Sequence, residues 1–233
     1  MIDELLLRAL LRQQTWLSPA FPSGAYSYSH SLEWAIEAKQ IYDSETLVDW
    51  LESDLRYGSG RNEAIFFHQS WRSASADDRT GLLQVAKLAA VFRSTSEFAL
   101  ESVQQGTAYL ATLRRVWCDR LLDWLSDMLH KLNLPPVLSV VLGIRAATQG
   151  IPLCLALPAF LQSILANLVN AGVRLLPLGQ TDGQITLARL EDAVLSATAE
   201  ATNATLDDLG SAAFMVDLSS MAHETQYTRL FRS

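Results

Sequence analysis

Residues 146–173 contain no Asp, Glu, Lys or Arg, and this stretch constrains the fold more than any other part of the chain. It is long enough to span a bilayer as a helix. Yet Ser163, Asn167 and Asn170 recur at helical spacing and so form one polar stripe. A lone membrane span would leave that stripe without partners in lipid. The stretch therefore favours a buried core helix over a membrane helix, with a break near Gly150.

Helix-forming residues dominate the rest of the chain. Leu occurs 40 times and Ala 29 times, whereas Val and Ile together occur 20 times. Leu and Ala favour helices, while Val and Ile favour strands, and no run alternates apolar and polar residues over a convincing strand length. We expect an all-α protein of about eight to ten helices. It should form a single compact helical domain over residues 1–214 with a C-terminal arm over residues 215–233. Three of the predicted helices cover residues 3–14, 25–39 and 184–201.

The charge and the cysteine content exclude several classes of protein. With 18 Lys and Arg against 25 Asp and Glu, the net charge is −7 with neutral His. Nucleic-acid binding relies on basic side chains, so it is not expected. Two cysteines, Cys118 and Cys154, are too few for a disulfide scaffold or a four-Cys zinc site. The first four residues include two acids and no basic segment, so we expect no Sec signal and a cytoplasmic protein.

Sequence motifs for catalysis are absent. The chain has no Walker-type phosphate loop and no Gly-x-Ser-x-Gly elbow, and its four histidines are far apart. The favoured interpretation is a non-enzyme with ordinary histidines, two buried thiols and no bound cofactor. An alternative stays open: a small helical hydrolase that uses Ser27 and His30, which could touch on a helix, or an enzyme with a metal site assembled from His and Cys.

Four sequence blocks resemble the UreF family of urease accessory proteins. They are LSPAFPSGAYSYSHSLE at residues 17–33, STSEFALESVQQG at 94–106, VRLLPLGQTDGQ at 173–184 and SMAHETQYTRLFRS at 220–233. The blocks occur in the family's order and span nearly the whole chain. One position departs from the expected pattern, because Ser31 stands where a Gly is expected. If residue 31 is helical, serine is less costly than glycine and the departure is benign.

The resemblance implies an all-helical, dimeric scaffold that is not an enzyme. Family members bind the accessory protein UreD, also called UreH, and recruit the GTPase UreG. The assembly delivers nickel to the urease apoprotein, and a role in regulating the GTPase cycle of UreG is implied as well. Nickel is then handled by the complex, and no tight nickel site is expected in this chain. No nucleic acid and no membrane is expected among its partners.

Three segments are candidate partner-binding surfaces, and each has a structural alternative. The aromatic residues of the first block could instead fill the core, and Asp182 or Thr181 could cap a helix. The tail could dock on its own core, although docking on a partner is favoured because interface cores favour aromatics and Arg. The candidate residues are Pro19, Phe21, Pro22, Gly24, Tyr26, Tyr28, Arg174, Gln180, Asp182, Gln184, His223, Glu224, Tyr227, Arg229, Leu230 and Phe231.

A fourth polar feature lies on the helix of the second block. Glu97, Glu101 and Gln105 recur every four residues and therefore share one face. They could line a partner surface or a water-filled route for a cation. The favoured interpretation is a solvated helix face.

Overall fold

The computed structural model of the chain describes residues 4–233, so residue 3 of the first predicted helix lies outside the described residues. Over that range the fold is all-α, as predicted, with twelve α-helices and no strand. The number of helices exceeds the predicted eight to ten. The helices are α1 (Glu4–Leu17), α2 (Leu32–Glu37), α3 (Ser44–Tyr57), α4 (Ser59–Ser75), α5 (Arg79–Val91), α6 (Ser96–Val116), α7 (Arg120–Leu132), α8 (Leu138–Thr148), α9 (Leu153–Leu175), α10 (Gln180–Arg189), α11 (Glu191–Asn203) and α12 (Phe214–His223).

Two of the predicted helices are interrupted in the structure. The single helix predicted over residues 25–39 is wrong, since only a 3₁₀ turn at Ala25–Ser27 and the short α2 form there. Between them His30 and Ser31 adopt left-handed backbone angles, with φ of 52° and 71°. A left-handed residue cannot continue a right-handed helix. The helix predicted over residues 184–201 is likewise divided into α10 and α11.

Helix α8 lies at the centre of the fold. Every residue from Leu138 to Ala146 is buried, and the helix packs against α4, α6 and α7. Close approach depends on Gly143, because a Cβ atom at this position would lie 2.6 Å from the carbonyl oxygen of Phe67 in α4. Gly106 of α6 has the same role, since its Cβ would lie 2.5 Å from the carbonyl oxygen of Pro136. These two glycines fix how closely α4 and α6 pack on α8.

The stretch without charges forms the end of α8, a turn at Gly150 and helix α9. By length and composition α9 could cross a membrane. In the structure it instead packs against α1, α2, α3, α4, α8, α10 and α11. Its buried side includes Leu157, Phe160 and Leu161. Helix α9 therefore serves as a core helix, as predicted.

Ser31 does not lie inside a helix, so the expectation that serine is harmless there is wrong. The residue precedes α2 with φ 71°, in the left-handed region that favours glycine. Its side chain is completely buried, and its hydroxyl has no hydrogen-bond partner among the described residues. Serine is therefore unfavourable at this position for two reasons, the backbone conformation and the unsatisfied hydroxyl.

We expect Ser31→Gly to stabilise the chain by about 1–2 kcal/mol, because relief of both terms outweighs the greater entropy of glycine in the unfolded state. The free energy of unfolding from urea titrations measures this difference. Lys39→Gly is the matched control, since Lys39 has φ 58° but an exposed side chain. It should give a smaller gain. A Ser31→Gly variant less stable than the parent chain would contradict this account.

Candidate functional site

Arg174, in the last turn of α9, joins two of the three candidate surfaces to each other. Its Nη2 donates a hydrogen bond of 2.9 Å to the carbonyl oxygen of Tyr26. Its guanidinium carbon lies 4.4 Å from the centre of the Phe231 ring, in cation–π geometry. The first block and the tail, which are far apart in sequence, therefore meet at one residue of the third block.

An open cleft of about 310 Å³ lies beside Arg174. Pro19 and Tyr26 line it on one side, and Gln180 lines it on another. Asn167 and Asn170, two members of the polar stripe predicted on α9, also line this cleft. The structure thus brings the first block and the start of α10 together around a polar cleft.

Residues of the first block divide between the core and the surface. Phe21 is buried and stacks on Tyr109, with ring centres 4.5 Å apart. Tyr28 is buried too, and its hydroxyl donates a 2.6 Å hydrogen bond to Gln104. In contrast, the block exposes Pro19, Pro22 and Tyr26. Gly24 adopts a left-handed backbone conformation just before the 3₁₀ turn.

The third block begins a helix earlier than the sequence indicates. Helix α10 starts at Gln180, and the Asp182 carboxylate accepts a 2.8 Å hydrogen bond from the backbone N–H of Gly179. Asp182 thus helps to cap α10, while Gln180 and Gln184 remain exposed. Of the two residues predicted as possible caps, Asp182 makes the capping contact and Thr181 does not.

His223 ends α12 and is buried between two acidic side chains. Its Nδ1 lies 2.8 Å from Oε2 of Glu97, and its Nε2 lies 3.2 Å from Oε2 of Glu33. Arg229 donates a 3.0 Å hydrogen bond to the other oxygen of Glu97. Burial raises the pKa of Glu97, and the attraction of His223 and Arg229 opposes that rise. Three elements, α2, α6 and α12, are joined by this network.

Glu33 also holds the C-terminal segment, which we define as residues 224–233. Its carboxylate accepts hydrogen bonds of 2.6 Å from the backbone N–H of Leu230 and 2.9 Å from that of Phe231. Phe231 is buried, whereas Glu224, Tyr227, Arg229 and Leu230 are exposed. The inner side of the segment is therefore docked on its own core, and the outer side is available. Binding of the outer side to a partner stays a prediction.

A small cavity of about 60 Å³ is lined by both polar and apolar side chains and has room for a few water molecules. His30 lines this cavity and stacks on Phe98, with ring centres 3.9 Å apart. The Nδ1 atom lies 3.0 Å from Glu101, and the Nε2 atom lies 2.6 Å from the Ser59 hydroxyl. We refer to it as the His30 cavity. Among its other lining residues are Tyr28, Asp54, Glu63, Arg93 and Gln105.

Acidic neighbours determine the charge of His30. Burial alone would lower its pKa, but Glu101, with smaller contributions from Asp54 and Glu63, raises the pKa to about 9. The protonated ring donates from Nδ1 to Glu101 and from Nε2 to Ser59, and Ser59 in turn donates to Asp54. His30 is therefore a cation at neutral pH, with both ring N–H groups satisfied.

This geometry argues against the hydrolase alternative. The ring nitrogens of His30 face Glu101 and Ser59 rather than Ser27, so the predicted Ser27–His30 pair is wrong. Ser59 does contact the ring, but a protonated imidazole cannot act as a general base. The Ser59 hydroxyl donates its proton to Asp54 and not to His30, so these two residues do not form a Ser–His pair either.

The second block also differs from its favoured interpretation. Glu97 and Gln105 are buried and Glu101 is half-buried, so the prediction of a solvated helix face is wrong. Glu97 binds His223, while Glu101 and Gln105 line the His30 cavity. The partners of these acids, His30 and His223, come from distant parts of the chain, which no local pattern could reveal.

Metal ligands do not cluster in residues 4–233, where no group of three or more His, Cys, Asp or Glu has the arrangement of a metal site. Cys118 and Cys154 are exposed, so the prediction of two buried thiols is wrong. His68 is buried in α4, and His130 is exposed in α7. The expectation of no tight nickel site stays a prediction.

Glu33 and Ser29 lie in the first block but are not among the candidate residues named from the sequence. Glu33 is an acid between Leu32 and Trp34 in a short helix. Its position between two large apolar residues is the one feature of the sequence that could have indicated a buried role. Ser29 contacts Ser233, and both side chains are buried. Neither contact has a signature in local sequence.

Comparison with known proteins identifies the family. The family model described as UreF matches residues 41–191. The chain belongs to the UreF family. It is 48% identical over 225 residues to the urease accessory protein UreF of Bradyrhizobium diazoefficiens (strain JCM 10833 / BCRC 13528 / IAM 13628 / NBRC 14792 / USDA 110), covering 97% of this chain and 92% of that one. It is 47% identical over 226 residues to the protein of the same name from Rhodopseudomonas palustris (strain BisB5), covering 97% and 91%.

Membership of the UreF family confirms the resemblance and makes the chain a urease accessory protein. The matches to these two relatives extend over 97% of the chain. The site described above is thus a feature of a urease accessory protein.

We expect the free energy of unfolding to fall as the pH rises from 6.5 to about 9, because His30 keeps its proton in the folded chain and loses it in the unfolded chain. Its contribution is fully present below pH 6.5 and is lost as the pH passes the folded pKa. The slope should approach about 1.4 kcal/mol per pH unit, for a total of about 3 kcal/mol.

Urea titrations at several pH values between 6 and 9 would measure this slope. The His30→Gln variant should show a flatter dependence, whereas His130→Gln, at an exposed position, should keep the parent slope. An identical slope in the parent chain and in His30→Gln would show that His30 is not the titrating group.

Proposed function

We propose that this chain is a non-enzymatic cytoplasmic scaffold for the nickel-dependent maturation of urease. In this role it binds UreD (UreH) and recruits UreG, and the assembly acts on the urease apoprotein with nickel as its cargo. The observation that most supports this proposal is that the first block, the third block and the tail meet around Arg174. These blocks carry the resemblance to the family, so their meeting at one surface supports a role in partner binding.

The outer side of the C-terminal region is the proposed docking surface for UreD. Tyr227 and Leu230 are exposed on the C-terminal segment, and the adjoining helix α12 adds further exposed apolar side chains. Contiguous exposed apolar side chains are typical of protein-binding surfaces. The exposed apolar residues of α12 are Phe214, Met215, Leu218 and Met221.

The cleft beside Arg174 is the proposed surface for UreG. Exposed Gln180 provides hydrogen-bonding groups at its edge, and Tyr26 provides an exposed aromatic ring. Gln184 is exposed one turn further along α10. Arg and Tyr are enriched among the residues that dominate binding energy. Regulation of GTP hydrolysis by UreG is part of this proposal, and GTP turnover with and without the chain tests it.

Urease activity in cells tests the maturation function. Cells that express the urease subunits, nickel uptake and the other accessory proteins should have active urease only when this chain is present. Equal activity without the chain would contradict the proposal.

Point variants test the UreD surface more cleanly than truncation. Removing residues 219–233 would also remove His223 and leave Glu33 and Glu97 buried without their partner. We therefore expect a Tyr227→Ala/Leu230→Ala double variant to weaken UreD binding by about 30-fold or more, since the loss of even one anchor residue costs about 2 kcal/mol. Leu195→Ala, at an equally exposed leucine of α11, is the matched control. UreD co-purification that is equal for both variants would contradict this assignment.

Homodimer formation is proposed at the groove between α1 and α9. The groove has a volume of about 510 Å³, and no charged residue lines it. Exposed Leu11 and Leu155 lie along the same two helices. Because each copy carries a net charge of −7, an uncharged face is where two copies meet with the least repulsion.

We expect Leu11→Glu to convert a dimer into a monomer, because two copies would then bring unpaired carboxylates into the interface. Light scattering coupled to size-exclusion chromatography measures the mass. Leu195→Glu, with a similarly exposed leucine outside the groove, should leave the mass unchanged. A Leu11→Glu variant that stays dimeric would place the interface elsewhere.

A further inference from the structure

We propose that the cleft beside Arg174 receives an aspartate or glutamate side chain of UreG. This inference rests on the proposed function, because it specifies the chemistry of the contact that the cleft is proposed to make with UreG. Three observations support it: the charge of the residues that line the cleft, the hydrogen bonds that Arg174 already makes, and the amide groups that lie beside it.

The cleft is a positively charged site on an acidic protein. Among the described residues that line it, Arg174 alone is charged, and the others are polar or apolar. The whole chain carries a net charge of −7, so its overall field repels an acidic partner. A carboxylate therefore gains attraction at the cleft while the chain as a whole disfavours it. Such a local charge favours one defined position for an acidic side chain.

No acid of the chain neutralises Arg174. Its Nη2 donates to the carbonyl oxygen of Tyr26, and its Nε donates a 3.3 Å hydrogen bond to the carbonyl oxygen of Asn170. Both acceptors are backbone groups without a net charge. Burial lowers the pKa of Arg174, and within residues 4–233 no neighbouring acid opposes that shift. A carboxylate from a partner would supply the missing negative charge.

The guanidinium of Arg174 keeps hydrogen-bond donors for a ligand. Two of the five N–H groups of a guanidinium donate to the two carbonyl oxygens, and the others have no acceptor among the described residues. The Phe231 ring stacks on the face of the guanidinium, which leaves the edge for hydrogen bonds. The planar edge of a guanidinium matches the two oxygens of a carboxylate.

Amide groups extend this donor set along the cleft. Asn167 and Asn170 precede Arg174 by seven and four residues, so all three share one face of α9. Gln180 lines the cleft from the start of α10. The side-chain amides of Asn167, Asn170 and Gln180 have no hydrogen-bond partner in the part of the chain that the structure describes. Each amide can donate to a carboxylate oxygen that Arg174 does not bind.

The size of the cleft suits a single side chain. Its volume of about 310 Å³ lies at the lower end of the range of about 300–1,000 Å³ for small-molecule pockets. Tyr26 lines the cleft and is exposed, so its ring can pack on the apolar stem of an aspartate or glutamate. The cleft thus offers a charged centre, neutral donors and an apolar contact.

Small carboxylates test the chemistry of the cleft in the full-length chain without UreG. Glutarate is the probe, glutaramide is the uncharged control of similar shape, and inorganic phosphate is the alternative anion. Nitrogen-15 NMR of the side-chain amides of Asn167, Asn170 and Gln180 is the readout. We expect glutarate to shift these resonances and glutaramide to leave them unchanged. Arg174→Gln should abolish the response to glutarate.

UreG binding tests the source of the carboxylate. Asn170→Asp places an acid one turn before Arg174, where it can pair with the guanidinium while the contacts with Tyr26 and Phe231 remain. We expect the affinity for UreG to fall by about ten-fold or more, because hydrogen bonds between charged groups are the stronger ones. The remaining affinity should depend less on salt, since a charge pair has been lost.

Two further variants accompany this measurement. Arg174→Lys keeps the charge but not the planar edge, so it should lose less affinity for UreG than Arg174→Gln. Arg115→Gln, at an exposed arginine of α6 outside the cleft, changes the net charge by as much as Asn170→Asp and is the matched control. It should keep the affinity and the salt dependence of the parent chain.

Several results would overturn the inference. One is equal UreG affinity of the parent chain and Asn170→Asp, and another is a loss of affinity with unchanged salt dependence. A stronger NMR response to phosphate than to glutarate would assign the cleft to a phosphoryl group instead. In each of these cases UreG still binds the parent chain, so the proposed function stands. If UreG does not bind the parent chain, the proposed recruitment fails, and the glutarate titration still decides whether the cleft binds a carboxylate.

Discussion

The packing of α8 against α4 and α6 is the constraint on which the rest of the structure depends. Because α8 is buried on every side, backbone atoms of the neighbouring helices lie close to it. Gly143 and Gly106 leave room for this contact because they have no side chain. Gly106 lies on α6, one helical turn beyond Glu101 and Ser102. Its contact with the residues before α8 therefore fixes the direction in which α6 presents the face with Glu97, Glu101 and Gln105. A side chain at either glycine would displace backbone rather than a flexible side chain, so neither contact can adjust locally.

Glu97 and Glu101, on one face of α6, bind polar side chains from several segments that are distant in the sequence. Glu97 contacts His223 and Arg229, and one turn later Glu101 contacts His30 and Ser233. The same helix thus binds α12, the C-terminal segment and the loop before α2. Because buried charges are unfavourable unless they are paired, these contacts depend on one another. Loss of one partner would leave an acid uncompensated at a site where several segments meet.

The sequence predicted the fold class but not the interior of the site. Periodic leucines and alanines are local information, so an all-α fold and a core helix in the uncharged stretch follow from them. The sequence does not reveal the interruption at His30 and Ser31, because residues other than glycine uncommonly adopt left-handed angles, although His does so more often than most. The face with Glu97 and Glu101 was interpreted as solvated because an acidic stripe has the same pattern whether it faces water or buried histidines. Only the folded chain brings His30 and His223 to those acids, over separations of 71 and 126 residues.

The attachment of the C-terminal segment to Glu33 has a consequence for the synthesis of the protein. Glu33 and Leu230 are separated by 197 residues. At a translation rate of about 5–20 residues per second, the Glu33 carboxylate emerges roughly 10–40 s before the N–H groups that bind it. During this interval α2 and α6 carry acids whose partners have not yet been made. The acids of α2 and α6 therefore lack these partners during most of the synthesis of the chain. We expect chaperones and proteases to act on this region of the nascent chain.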